Sequence, residues 1–141
     1  MALPSVGGGY QLTDGNQNEM EFIPQATPAT ASVTATLTVA QLAAGILTVN
    51  QAGAAVCTLT LPTGALMDAT FTNMQNNASF DFSVINISTV DAEDATLAVG
   101  TGWTAVGNVT VAANSAVSTI SSARFRARRT ATATWTLYRL S

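Results

Sequence analysis

From Ser32 onward, small apolar residues alternate with threonine. Val33, Ala35, Leu37 and Val39 interleave with Thr34, Thr36 and Thr38, the period-two pattern of a strand with one buried face. Gln41–Gly45 reads as a turn or a single helical turn ending at glycine, and Ile46–Val49 as a short strand. Cys57, Leu59 and Leu61 then point one way and Thr58 and Thr60 the other. Pro62 stops that strand because it cannot donate to a ladder. Thr63 has the chemistry of a helix N-cap, and Met67, Phe71 and Met74 recur at helical spacing, which predicts a short helix over about 62–74. Phe80, Phe82 and Val84 share a face, after which Ile85 and Ile87 fall on the other. That switch predicts either a bulge near Val84 or a strand covered on both faces. Shorter strands follow at Thr96–Val99, Asn108–Ala112, Val117–Ile120, Arg124–Arg128 and Thr132–Leu140. Short strands with frequent turn signals predict an all-β domain, an antiparallel β-sandwich or jelly roll of about eight strands with one helix.

The first 31 residues break this pattern. Gly7-Gly8-Gly9, Pro4, Pro24 and Pro28 interrupt any regular element. The division expected is an extended N-terminal arm, 1–31, and a β-sandwich or jelly-roll domain, 32–141. The arm is either a disordered tail or a segment that orders on a neighbouring subunit, with Phe22 and Ile23 as its anchors. MALPSVGGGY has neither a basic start nor a long apolar core, so it does not read as a signal peptide. No run approaches the ~18 apolar residues of a membrane span. Synthesis in a cytosol and no membrane partner are expected.

Composition narrows the function. Only 9% of the residues are charged, against about 25% in an ordinary domain, and a Thr/Ala surface suits a protein packed against neighbours. The net charge of −3 argues against a general nucleic-acid binder. There is no histidine, so the lone Cys57 lacks an activating base and reads as a buried apolar side chain. No catalytic residue, cofactor site or metal site is expected, and the chain is not expected to be an enzyme. Asp91-Ala92-Glu93-Asp94 lacks the ligand spacing of a calcium loop and reads as a solvated hairpin loop. Gly100-Thr101-Gly102-Trp103 reads as a turn, without the helix of a phosphate loop.

Charge is segregated along the chain. All eight acids lie at or before Asp94, and all five positive charges are arginines from Arg124 onward. Arg124, Arg126 and Arg128 alternate with Phe125 and Ala127, so a strand projects all three guanidiniums from one face. Such a row repels itself unless something negative faces it. It reads as an interface toward a carboxylate-rich partner or the Asp91–Asp94 loop of a sister subunit, ahead of a solvated edge strand.

Two stretches carry a resemblance. They are Leu37–Leu42 with Gly45-Ile46-Leu47 and Leu59-Thr60-Leu61-Pro62-Thr63, and Phe80–Asn86 with the later GTGW turn. They resemble small virion proteins of tailed bacteriophages, of the capsid decoration (cement) type, over about 32–141. The resemblance implies a small β-sandwich or jelly roll that sits as a homodimer or homotrimer on the capsid exterior and clamps neighbouring major capsid protein subunits. It implies a virion location after synthesis in the host cytoplasm. The competing expectation is a tail-fibre or carbohydrate-binding jelly roll recognising a host surface, for which Trp103 is the one candidate platform.

Overall fold

The computed structural model describes residues 23–53, 55–117 and 120–141. In chain order the elements are β1 (Ala29–Ala31), β2 (Ala35–Thr36), α1 (Val39–Ala43), β3 (Ile46–Val49), β4 (Cys57–Thr60) and α2 (Gly64–Thr70). Then come β5 (Ser79–Asn86), β6 (Ala95–Ala98), β7 (Trp103–Val106), β8 (Thr110–Val111), β9 (Ser122–Ala131) and β10 (Thr134–Arg139). Two sheets face each other. One has six strands in the order β1-β3-β5-β9-β10-β7, the other four in the order β2-β4-β6-β8.

The expected antiparallel sandwich or jelly roll with a single helix is corrected here. Both sheets are mixed. β1, β3 and β5 run parallel to one another, as do β2, β4 and β6. β7 is parallel to β10, while β8 and β9 supply antiparallel pairings. The physical reason lies in the connections. The chain gives one strand to the six-stranded sheet and the next to the four-stranded sheet, then returns in the original direction. Parallel neighbours need such crossovers, and α1 and α2 lie on the first two returns. Ala29 pairs with Leu47, and Leu47 with Val84; these unequal steps are why no fixed repeat is visible in the sequence. Among the described residues the one tight hairpin joins β9 to β10.

α1 was legible only as a turn, yet it carries a full capping box. Thr38 Oγ1 accepts from Gln41 N, and the Gln41 side chain accepts from Thr38 N, so two orphan N–H groups are satisfied reciprocally. The helix captures Val39, and the expected strand from Val33 shrinks to Ala35–Thr36, leaving Val33 exposed. α2 starts where expected, with Thr63 Oγ1 accepting from Leu66 N, but ends at Thr70.

β5 pairs with β9 in unbroken register from Ser79 to Ile85, so it contains no bulge. Phe80, Phe82, Val84 and Asn86 face inward; Ser79, Asp81, Ser83 and Ile85 face outward and are not fully covered. Both alternatives for the Val84 region therefore give way to plain alternation that ends in a buried asparagine. The core between the sheets is made by Leu47, Val49, Phe82, Val84, Phe125, Trp135 and Leu137 against Cys57, Leu59, Leu97 and Val111. Burial raises the Cys57 thiol pKa, which keeps it protonated and inert. Outside, the threonines satisfy one another in rows, as in the 3.1 Å contacts Thr96–Thr110 and Thr104–Thr136.

Candidate interaction surface

β9 projects Arg124, Arg126 and Arg128 from the outer face of the six-stranded sheet and buries Ala123, Phe125 and Ala127. The strand register decides what meets them. Asp81 on β5 lies opposite Arg126 and binds two of the three. Arg126 Nε donates to Asp81 Oδ1 at 2.6 Å and its Nη2 to Oδ2 at 3.0 Å, while Arg124 Nη2 donates to Oδ2 at 2.6 Å. These bonds, led by that from Arg126, hold the Asp81 carboxyl below its ordinary range. Arg128 instead donates to Asn77 Oδ1 and to the Tyr138 hydroxyl. Among the described residues, Asp81 thus pairs with two of the three guanidiniums and Arg128 has only neutral partners, so the face keeps a surplus of positive charge.

The sequence reading missed Asp81, because pairing across β5 and β9 spans more than forty intervening positions. It also offered Asp91–Asp94 as a solvated loop, and the structure corrects this. Glu93 is buried; its carboxylate accepts from Gly53 N at 2.9 Å and from Ser88 Oγ. Asp94 Oδ1 accepts from Ala113 N, and Asp91 Oδ1 from Ser115 Oγ. Asn86, also buried, donates to Glu93 O and Val111 O. The loop is thus a clasp at one end of the sandwich.

Beside the arginine row lies an apolar groove of about 400 Å³ lined by Leu42, Ala43, Phe71, Met74, Ala78 and Phe80, with Asp81 on its rim. Met67 belongs to the core, but Phe71 and Met74 from the same helical stripe are only half covered. Phe22 lies outside the described residues. Ile23 is 80% exposed. Trp103 is not a platform: it is buried, its Nε1 donates to Pro62 O at 2.7 Å, and its ring lies 5.5 Å from that of Trp135.

A second arginine site lies on the inner side of the same strand. Arg129 donates from Nε to Asp68 Oδ1 at 2.9 Å and from Nη2 to Oδ2 at 2.8 Å. Asp68 also accepts from Ala133 N at 2.8 Å and from Trp135 Nε1 at 3.0 Å. Four donors hold this carboxyl far below the usual range, with the Arg129 hydrogen bonds the largest cause. The hairpin tip they fix presses its Ala133 carbonyl between Gly64 and Gly102, where a Cβ would stand 2.2 and 2.3 Å from that oxygen. This is why the GTGW stretch needs its second glycine, which also has φ +86°.

Among the described residues, no three acidic, cysteine or histidine side chains are grouped so as to hold a metal ion, and no helix is long and apolar enough to cross a membrane. No protein-family model, curated protein or solved structure matches the chain.

Proposed function

We propose that this is a structural virion protein that binds the outer surface of a capsid shell, as a homodimer or homotrimer, and clamps neighbouring major capsid subunits. The observation that carries the reading is the outward row Arg124, Arg126 and Arg128, set against a single carboxylate among the described residues and flanked by an apolar groove. An apolar pocket with a charged rim suits protein–protein docking, and the surplus of positive charge selects a partner that presents carboxylates. The resemblance of the strand and turn motifs to capsid decoration proteins supplies the identity of that partner. Each rim ion pair contributes only ~0.2–1 kcal/mol, but attachment of an oligomer at several points multiplies affinity through effective concentration.

The test is attachment of the labelled protein to purified capsids, with electron microscopy to place the label. The expected result is density over the outer shell, with weaker and less salt-sensitive attachment of an Arg124→Ala, Arg126→Ala, Arg128→Ala variant. Label confined to the tail would favour a host-surface module. Attachment unchanged across a salt titration would remove the arginine row from the interface.

A further inference from the structure

β3 begins opposite Ser83, at the pair Ile46–Ser83, whereas β5 starts four residues earlier, at Ser79. Among the described residues, Ser79–Asp81 therefore has β9 on one side and no strand on the other. The neighbouring bonds fix which way its main chain points. Asn86 N–H bonds Ser121 O and Ala78 O accepts from Arg129 N–H on the β9 side, while Ser83 N–H bonds Gly45 O on the β3 side. Main-chain groups alternate in direction along a strand, so Ser79 and Asp81 turn their N–H and C=O groups to the edge away from β9. An edge of this kind is a template for an extended segment of another protein.

Register dictates what such a segment must carry. Its side chain beside Phe80 shares the inner face of β5 and enters the groove, where Phe71, Met74 and Phe80 are only half covered. The side chains before and after it lie outward, one beside Ser79 and one beside Asp81. These two places differ in charge. Asp81 already holds Arg124 and Arg126, so a carboxylate beside it meets a like charge. Ser79 is paired across β5 and β9 with Arg128, whose partners among the described residues are the neutral Asn77 and Tyr138 side chains. Serine is short, and the Arg128 guanidinium already reaches toward β5 as far as Asn77. An added strand lies two strand spacings from β9, about 10 Å, a gap that Arg128 and a glutamate close from either end.

We infer that the docking partner adds an extended segment to the β5 edge at Ser79–Asp81. The segment places a large apolar side chain in the groove, a carboxylate beside Ser79 where Arg128 receives it, and a neutral residue beside Asp81. This deepens the docking-surface reading and rests on it: a general preference for acidic partners becomes one acid at one register position. The main chain supplies the attachment, and the groove and Arg128 supply the selectivity.

An NMR titration of the full-length protein with capped synthetic peptides tests this without any capsid. The probe is a short threonine peptide carrying one phenylalanine with glutamate as its neighbour, made in both orders because an added strand runs either way. One order should bind, shift the Ser79, Asp81, Phe71 and Met74 resonances, and slow exchange of the Asp81 amide about 10-fold at saturation. Glutamine in place of the glutamate should weaken binding about 2–5-fold, and Arg128→Gln should abolish that difference. N-methylation of the peptide's main-chain amides should weaken binding at least about 10-fold. No binding, binding that survives N-methylation, or a glutamate preference kept by Arg128→Gln would overturn the inference. So would an Asp81 amide already protected in the free protein. Concentration-independent protection would give the edge to residues 1–22, and protection that grows with concentration would give it to a second copy. Capsid attachment without peptide binding would leave the functional reading standing and strike the strand addition, and peptide binding without capsid attachment would do the reverse.

Discussion

Arg128 and Arg129 are adjacent in sequence, yet they belong to two different kinds of site. Arg129 turns inward, and its side chain and that of Asp68 are 16% and 17% exposed. Arg128 turns outward into the row where Arg124 and Arg126 grip Asp81 while remaining 59% and 46% exposed. Both sites use a bidentate arginine–carboxylate pair, but the donors that surround the pair differ. Asp68 also takes the Ala133 N–H and the indole of Trp135, so it joins α2, the β9–β10 hairpin and the core in one network. Among the described residues, Asp81 accepts from the two arginines beside it alone. The same functional groups therefore stabilise the fold in one place and present a charged surface in the other, and water decides which.

The largest expected effect breaks the inner site. Asp68→Ala removes the acceptor shared by Arg129, the Ala133 N–H and the Trp135 indole N–H, and should lower stability by about 1–3 kcal/mol in urea denaturation. A loss below about 1 kcal/mol would show that the four donors find other partners and that the contrast between the sites is wrong.

Acid sharpens the comparison. Asp68 and Asp81 both have folded pKa values depressed below the unfolded value of about 3.9. The unfolded chain therefore takes up their protons first as pH falls. Their contribution is fully present above about pH 5 and is lost progressively below about pH 4. Asp68→Asn should be markedly less stable than wild type near neutrality, and the gap should narrow as the pH is lowered toward about 2. A gap that stays constant from pH 6 to about pH 2 would mean that the Asp68 charge is not what matters.

The smallest effect is expected at the outer row. Asp81→Ala should cost no more than about 1 kcal/mol, and less at high salt, because its arginines are about half exposed. It should nevertheless strengthen salt-sensitive binding to an acidic protein surface, because it frees two guanidiniums. Destabilisation equal to that of Asp68→Ala would erase the distinction between the two sites.

Much of the local architecture was legible in the sequence. The Leu59/Leu97 type of alternation gives the buried faces, Pro62 and Thr63 mark the strand stop and helix start, and Arg124, Arg126 and Arg128 do share one face. These are properties of neighbours along the chain, where backbone geometry alone sets side-chain direction. The Thr38–Gln41 capping box was equally local, and its spacing could have revealed α1. Val33 shows the opposite case: its alternation was sound, but a cap five residues later ended the strand.

Which strands pair, and in which direction, had no local signature. Alternation looks the same in parallel and antiparallel ladders, so the crossovers through α1 and α2 that make both sheets mixed were invisible. The partners of charge were hidden for the same reason. Asp68 sits in a helical stripe far from Arg129, and Glu93 in what reads as a polar loop. The sequence by itself determined that this is a threonine-coated β domain with a row of arginines on one strand face. Only the tertiary structure decided that Asp81 meets that row and that Asp68 locks the hairpin. Those contacts depend on register between distant segments, and register is set by the packing of the whole core.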